Sequence, residues 1–467
     1  MSDPFNKIAI KILFMGLIAY ILSIQTNINY SWNIQGIWCI VVMIFIVPTL
    51  LSITLEKPVL IFIDHRTVAT MSFIFYFLIG ASFLSFGSQE AIYQSEDIYP
   101  TTINEALKID ALNNFGFAVM LFIFSISKDA FLLKKLLNGI LSKILVFKKY
   151  NIYYFLFILS SIGYYKVMQS NLSPTEEPLN AFFPTMDKFN IILIYLFQID
   201  NGKNKVLFRW LSTLILILQI LSGISVLSKA IFFIPIIVYI VGLIVRLRLG
   251  LKSISIFFII FFLLFQPISA VLSASRPSDF IDFKKLSLSD RLEIVNEVLT
   301  NKSEVKDSYT IWSRLSYIAT QAIAVRFYDD DQAGDELRMI PWLFIPRILA
   351  PNKPIISELG SEFYTKYTGN FGSSVGTGVF INGYYNLGWI GLIIFSSIYG
   401  WLLRQTSFIA TKIVQNNAVL IYPLALFGVN MAYRIDGNFI VDQLGNFVIL
   451  IYLLFGISIL GHFLIKK

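Results

Sequence analysis

Long apolar stretches alternate with short polar segments along almost the whole chain. Runs of about 17 or more mostly apolar residues recur from one end to the other, which is the length a helix needs to cross a bilayer. We therefore expect an all-α polytopic membrane protein. The pattern predicts about twelve spans, at residues 8–24, 36–55, 69–87, 113–128, 151–168, 187–200, 206–225, 229–247, 253–272, 376–402, 417–432 and 445–464.

The composition agrees with this class. Of the 467 residues, 56% are hydrophobic and only 14% are charged, whereas a soluble domain carries about 25% charged residues. The single cysteine, Cys39, excludes a disulfide within the chain and a cysteine-based metal site. The net charge of +8 is typical of basic cytoplasmic loops, and we expect no nucleic-acid partner.

The connections between the predicted spans alternate in charge. One set carries most of the lysines, for example those at 128–149 and 203–205, while the alternate set is uncharged (25–35) or acidic (90–105). Because cytoplasmic loops are enriched in Lys and Arg, both termini are expected in the cytoplasm. The chain then divides into spans one to nine (1–272), an extracytoplasmic loop (273–375) and spans ten to twelve (376–467).

A basic segment on the predicted cytoplasmic side has helical periodicity. One face of residues 130–150 would carry only apolar side chains, and five lysines lie around it. Such a helix is typical of the membrane interface, where it serves as a lipid-anchored structural element. The apolar face consists of Leu133, Leu137, Ile140, Leu141 and Ile144.

The extracytoplasmic loop is expected to carry the function, because long ordered loops usually do. Residues 289–300 are amphipathic, residues 311–328 are apolar with arginines, and four prolines between 341 and 354 break any helix there. We expect a partly helical lid packed over the outer mouth of the bundle.

Arginine is unusually frequent in this loop. The chain has twelve arginines, and six lie between 273 and 375: Arg276, Arg291, Arg314, Arg326, Arg338 and Arg347. Because arginine binds phosphate and carboxylate in a bidentate manner, the cluster suggests an anionic ligand such as a lipid diphosphate. Structural ion pairing is the alternative, and we favour it for Arg291 and Arg338, which lie next to acids.

Ionisable residues also lie at the ends of predicted spans, where they often mark a site. Lys229 begins the eighth span, and Arg434 and Asp436 follow the eleventh. Arg434 could instead pair with Asp442 as a purely structural contact. Both histidines, His65 and His462, are expected on the cytoplasmic side.

A glycosyl transfer, one reaction that a lipid diphosphate supports, needs a group that receives the proton of the acceptor hydroxyl. Without a histidine on the outer side, a carboxylate would have to be that group. Glu358 and Glu362 follow the proline-rich stretch and are the carboxylates that we expect in this role. Tyr364 and Tyr367 could bind sugars, or could belong to an aromatic belt at the membrane interface.

The end of the loop resembles the Wzy-type O-antigen polymerases, also called oligosaccharide repeat unit polymerases. The stretch PWLFIPRILAPNKPIISELGSEFYTKY (341–367) contains the family's spaced Pro-Arg and Lys-Pro residues, here Pro346, Arg347, Pro351, Lys353 and Pro354. The stretch GVFINGYYNLGWIGL (378–392) matches the family's entry to the next span, with Gly383, Tyr385, Asn386, Gly388 and Gly391.

The resemblance implies a GT-C-like helical bundle in the cytoplasmic (inner) membrane of a bacterium. On the outer face of that membrane it would join glycan repeat units carried on undecaprenyl diphosphate. The donor and acceptor would both be lipid-linked, no metal or cofactor would be needed, and a chain-length regulator or a flippase would be a partner. Many members have an arginine where this chain has Lys229. Related ligases rely on an outer histidine, which this chain is expected to lack.

The expected site residues follow from both arguments. A base is expected among Glu358 and Glu362. Glycan contacts are expected from Tyr364, Tyr367 and Tyr385. The diphosphate would be held by Lys229, Arg276, Arg314, Arg347, Lys353 and Arg434.

Two other functions remain open at this stage. A lipid-linked oligosaccharide flippase or another transporter would favour buried charges within spans and small outer loops. A non-enzymatic protein of polysaccharide assembly would tolerate single arginine substitutions outside its interfaces.

Overall fold

The chain forms two compact units. A computed structural model of the protein describes residues 3–25, 31–56, 63–87, 100–144, 149–169, 189–225, 229–247, 315–346, 349–369, 374–416 and 421–465, with a few isolated positions. The first unit comprises residues 1–146 and 311–467, and the second comprises 147–310. The later part of the predicted loop 273–375 therefore belongs to the first unit.

All regular structure among the described residues is helical. The first unit begins with α1 (Pro4–Ile24), α2 (Trp32–Glu56), α3 (His65–Phe73), a π-helical segment (Ile74–Ile79), α4 (Phe83–Phe86), α5 (Ile103–Ile126) and α6 (Phe131–Ile144). The second unit contains α7 (Lys149–Gln169), α8 (Phe189–Ile199), α9 (Lys205–Ser225) and α10 (Lys229–Leu247). The first unit resumes with α11 (Ile318–Asp329), a 3-10 turn (Glu336–Met339), α12 (Ile340–Leu343), a second 3-10 turn (Ile356–Glu358), α13 (Leu359–Thr368), α14 (Val379–Gln415), α15 (Tyr422–Tyr433), a π-helical segment (Phe439–Gly445) and α16 (Asn446–Ile465).

The class of polytopic, all-helical membrane protein is confirmed. Seven described segments are long and apolar enough to cross a membrane: Pro4–Ile24, Trp32–Ile53, His65–Phe86, Ile103–Ile126, Lys205–Ile224, Val379–Gln415 and Phe439–Ile459. The predicted span 253–272 and the amphipathic segment 289–300 fall almost entirely outside the described residues. The figure of twelve spans stays a prediction.

The core of the first unit lies where α5 packs between α1 and α14. The rings of Phe73 and Phe117 stack with centroids 4.1 Å apart, and Phe380 of α14 lies against Phe117 at 6.3 Å. A Cβ atom on Gly400 would lie 2.4 Å from the carbonyl oxygen of Met120. Small residues at helix contacts permit this close backbone approach, which is how helices associate within lipid.

Part of the predicted loop packs directly into the core of the first unit. Helix α11 packs against α5 and α14, and its residues Ile318–Val325 are all buried. On α11, Gln321 accepts a hydrogen bond from Asn113 (2.9 Å) and donates one to the carbonyl of Thr377 (3.0 Å). The apolar character of residues 311–328 therefore reflects packing within the protein.

Helix α14, which contains most of the span predicted at 376–402, is interrupted near its beginning. Leu387 and Gly388 have non-helical backbone angles, and Gly388 has φ +60° and ψ −143°. Glycine alone adopts this conformation readily. The backbone on either side comes together, since a Cβ on Gly391 would lie 2.0 Å from the carbonyl oxygen of Gly383. A short first segment, 379–386, therefore packs back against the long second one.

Helix α6 has the predicted apolar face, although protein rather than lipid covers it. Four of the predicted face residues are buried, namely Leu133, Leu137, Ile140 and Leu141, whereas the side chain of Ile144 lies outside the described set. They pack in one cluster with residues of α14 and α16, including Ile413 and Leu454. Lys134 and Lys135 are exposed on the other face.

Candidate functional site

A polar site lies where the connection between α15 and α16 runs beside the beginning of α14. The carbonyl oxygens of Ile435 and Asp436 accept hydrogen bonds from the backbone N–H groups of Val379 (2.9 Å) and Gly378 (3.0 Å). The side chain of Asn438 then accepts from the N–H groups of Ile440 and Val441 and so caps the π-helical segment. These backbone contacts fix the position of Asp436.

The carboxylate of Asp436 is the group in this region best suited to exchange a proton near neutral pH. Burial raises the pKa of Asp436 from 3.8 to about 6, while a hydrogen bond from the Tyr317 hydroxyl favours the ionised form and limits the rise. The negative charge of Asp442 raises the pKa further, and Arg434 lowers it. A carboxylate with a pKa this close to neutral can accept and release a proton under ordinary conditions.

Tyrosines surround this carboxylate on one side. The ring of Tyr76 meets Tyr317 edge-on at 5.6 Å and lies 6.0 Å from the ring of Tyr433. Burial and the charge of Asp436 both raise the pKa of Tyr317, so this hydroxyl keeps its proton and acts as a donor. Tyr433 is 54% exposed and is the ring in this cluster that could stack on a ligand.

A cavity of about 130 Å³ opens beside Asp436. This volume equals roughly four liquid waters, so the cavity admits the end of a larger ligand rather than a whole one. Backbone groups and small side chains form most of its wall, together with two carboxylates. The lining residues are Tyr317, Gly360, Ser374, Val375, Gly376, Asp436, Gly437, Asn438, Val441 and Asp442.

Glu336 is a second buried carboxylate nearby, held by three carboxamides. Its oxygens accept hydrogen bonds from Asn382 (2.7 Å), Asn386 (3.3 Å) and Asn438 (3.0 and 3.1 Å). Burial raises the pKa of Glu336, and the three amides oppose the rise. Glu336 is 5% exposed, so it connects the loop to α14 and to Asn438 without facing solvent.

Arg434 forms an ion pair with Asp442, which is the structural contact that the sequence analysis considered for it. Its Nη1 lies 2.5 Å from Oδ1 of Asp442, and the other oxygen of Asp442 accepts the N–H of Asn438 (3.0 Å). The Arg434 side chain is still 53% exposed. The guanidinium is therefore fixed in direction but retains donors that face solvent beside the cavity.

Two other basic residues of the loop are engaged in contacts within it. Lys353 donates to the carbonyl oxygens of Trp342 (3.1 Å) and Ile345 (2.8 Å), and its contact with a diphosphate stays a prediction. Arg338 pairs with Asp335 at 3.0 Å and approaches Glu362 at 3.7 Å. The structural pairing predicted for Arg338 is confirmed.

The two predicted bases lie at the beginning of α13, on the surface. Glu358 is exposed, and the Glu362 side chain is 48% exposed. Glu358 lies two residues before Gly360, which lines the cavity. Asp436 combines burial, a fixed hydroxyl donor and a cavity wall, and is therefore the stronger candidate.

The three predicted glycan-binding tyrosines are not grouped around the cavity. Tyr385 is 4% exposed and packs in an aromatic cluster with Phe327 and Phe363. Tyr367 lies against Phe327 at 6.4 Å, and Tyr364 is partly buried on the same helix. For Tyr385, a structural role in holding the loop to α14 explains its position.

The remaining predicted diphosphate ligands fall outside what the structure describes. This applies to the side chain of Lys229, at the first residue of α10, and to Arg276, Arg314 and Arg347. The arginine cluster thus stays a prediction from the sequence.

Sequence reasoning noted Asp436 at the edge of a span but did not select it, and it missed Tyr317, Glu336 and Asn438. The sequence did contain one signal for the polar cluster around Glu336, because Asn382 and Asn386 are four residues apart and lie on one helical face.

Comparison with family models, with curated proteins and with solved structures gives no match for this chain.

Proposed function

We propose that this protein is a polymerase that joins undecaprenyl-diphosphate-linked oligosaccharide repeat units on the outer face of the bacterial cytoplasmic membrane. The observation that carries the proposal is the Asp436 carboxylate, whose pKa is near 6, at the wall of a polar cavity. The proposal is also supported by the helical membrane architecture and by the sequence resemblance of residues 341–367 and 378–392.

In the proposed reaction, Asp436 acts as the general base. An acceptor sugar hydroxyl enters the cavity, and its oxygen forms a bond to the anomeric carbon of the donor glycan. The proton of that hydroxyl passes to the Asp436 carboxylate, and the bond between the anomeric carbon and the diphosphate oxygen breaks. Undecaprenyl diphosphate leaves with the electron pair, and Asp436 later releases its proton to water.

The leaving diphosphate needs positive charge, which the cavity itself does not supply. The cavity wall carries the carboxylates of Asp436 and Asp442, so we assign it to the neutral acceptor sugar. The exposed guanidinium of Arg434 is the described group best placed to meet a diphosphate at the rim. Arg314 and Arg347, which the sequence predicts as diphosphate ligands, would contribute the rest of the charge.

The proposal is tested by deleting the gene and restoring it as variants. Wild type should produce a ladder of long surface glycans, whereas the deletion strain and the Asp436→Asn variant should carry single repeat units only. Glu358→Gln is the matched control, because it neutralises the exposed carboxylate next to the cavity and should leave the ladder intact. Long glycans in the deletion strain would refute the proposed function. Loss of the ladder in Glu358→Gln alone would assign the base to Glu358.

A flippase is the second candidate, because one carboxylate is buried within a candidate span. Asp110 of α5 is 3% exposed and accepts a hydrogen bond from Gln35 (2.9 Å). Its Oδ1 has no hydrogen-bond partner among the described residues. Buried acids in spans often mark transport pathways. A flippase would leave a deletion strain without single repeats at the surface, whereas a polymerase would leave them there.

A further inference from the structure

The proline-rich turn of the predicted loop exposes apolar side chains while pairing most of its backbone. We define the proline turn as the described residues 341–346 and 349–354. Phe344 is 58% exposed, Ile345 36% and Leu349 75%. In an aqueous loop this exposure would be unfavourable, by about 25 cal/mol for each Å² of apolar surface left in water.

Three carbonyl groups of the proline turn accept hydrogen bonds from side chains. The Lys353 ammonium donates to the carbonyls of Trp342 and Ile345. The Tyr452 hydroxyl of α16 donates to the carbonyl of Phe344 at 2.6 Å. The carbonyls of Trp342, Phe344 and Ile345 therefore have side-chain partners that do not depend on water.

The N–H groups of the proline turn are also largely accounted for. Those of Phe344 and Ile345 donate to the carbonyls of Pro341 and Trp342, at 3.3 Å each. The N–H of Leu349 donates to Pro346 at 2.9 Å. The prolines of the turn have no N–H group at all. Within a bilayer every backbone polar group must find a partner inside the protein, and the turn comes close to meeting that condition.

The turn also lies beside an exposed apolar surface of a candidate span. Helix α16 continues the candidate span Phe439–Ile459, and its Ile449, Tyr452 and Phe455 are 48%, 43% and 59% exposed. Tyr452 lies seven residues beyond Gly445, which is about 10 Å along the helix. The hydrogen bond from Tyr452 therefore holds the turn alongside the span and not above its end.

We infer that the proline turn dips into the bilayer beside α16, and that Phe344, Ile345 and Leu349 bind the hydrocarbon chains of membrane lipids. The apolar surface of α16 continues onto the turn, so lipid covers both. The inference does not rest on the proposed polymerase activity. It assigns Lys353 to shaping a membrane-embedded turn, where it pairs carbonyls that lipid could not satisfy.

Site-specific fluorescence in lipid vesicles tests this inference. Leu349→Cys would be labelled with an environment-sensitive dye, and the full chain would be reconstituted with lipids carrying a quencher on the acyl chain. The chain's own cysteine, Cys39, is buried, so wild-type protein measures background labelling. Phe455→Cys serves as the lipid-facing reference, and Asp330→Cys as an exposed polar reference on the same unit.

The expected result is blue-shifted emission at 349, with quenching by acyl-chain quenchers as strong as at 455 and several-fold stronger than at 330. Quenching by a water-soluble agent at the rate seen at 330 would overturn the inference. Blue-shifted emission without lipid quenching would also overturn it, because protein would then cover the turn. Phe344→Cys repeats the measurement at a second position, in case one variant fails to fold.

Discussion

Removing the Tyr317 hydroxyl should shift the pH dependence of glycan joining to higher pH. The hydroxyl donates to Asp436 and favours its ionised form, against the burial that raises the pKa of Asp436 to about 6. If the ionised carboxylate is the base, wild-type activity should be half-maximal near pH 6 and fall to about one tenth of its plateau near pH 5.

The size of the shift follows from the value of the hydrogen bond. A hydrogen bond to a charged group contributes about 1.5–3 kcal/mol, and one pKa unit corresponds to about 1.4 kcal/mol. Tyr317→Phe should therefore move the midpoint up by about one to two pH units. Asp442→Asn should move it down, because the charge of Asp442 raises the pKa of Asp436.

The assay would follow the joining of endogenous lipid-linked repeats in isolated membranes between pH 4.5 and 9. Tyr364→Phe is the matched control, since this residue lies on α13 and is absent from the groups that perturb Asp436. It should leave the midpoint unchanged. A Tyr317→Phe enzyme with reduced activity but a wild-type midpoint would show that Asp436 does not act as the base.

Three further predictions concern stability, each measured as the thermal midpoint of the purified protein in detergent. Glu336→Ala leaves three buried amides without their acceptor and should destabilise the protein by several kcal/mol. The control is Asp335→Ala at the exposed neighbouring residue, which should have little effect. Equal thermal midpoints for the two variants would refute the role given to Glu336. Gly388→Ala should cost about 1–3 kcal/mol for backbone strain and more for the clash with the Tyr328 hydroxyl 2.4 Å away. The control is Gly139→Ala within α6, whose Cβ meets nothing within 4 Å. It should stabilise the helix by up to about 1 kcal/mol. Because the folded-state pKa of Asp436 lies above its ordinary 3.8, the contribution of Asp436 to folding stability should be greatest below about pH 4. It should fall by up to about 3 kcal/mol as the pH rises from about 4 through the folded-state pKa near 6. Asp436→Asn should remove this component, and an unchanged pH slope in the variant would argue against the raised pKa.

Hydrophobic patterning predicted the membrane class and most of the helices, because span length and apolar content are local properties of the sequence. It could not show that α14 breaks at Gly388, since Leu387 and its neighbours continue an apolar run. The break depends on a glycine backbone conformation and on the contact between Gly383 and Gly391. Both arise from packing that no local pattern contains.

The site was harder to predict because its members are distant in sequence. Glu336 and Asn438 are 102 residues apart, and Tyr317 is farther still from Asp436. The sequence pointed to exposed acids such as Glu358 as the base, because they follow the proline-rich stretch. Burial, which raises the pKa of Asp436 and makes it useful, is a property of the folded chain.

Lys353 illustrates the same limit for basic residues. A lysine in a Lys-Pro motif near other cations suggested phosphate binding. In the structure its ammonium donates to two carbonyl groups of the proline turn. Carbonyl pairing of this kind depends on the turn's backbone conformation, which the prolines constrain but do not specify.

The most direct test of the central claim is the joining reaction itself with purified components. The full-length protein in lipid vesicles would receive labelled undecaprenyl-diphosphate-linked repeat units, and products would be resolved by glycan length. We predict that wild type forms dimers and longer glycans with release of undecaprenyl diphosphate, and that Asp436→Asn binds the substrate but forms none. Equal rates of joining by the wild type and the Asp436→Asn variant would contradict the account, as would a wild-type protein that forms no longer glycan.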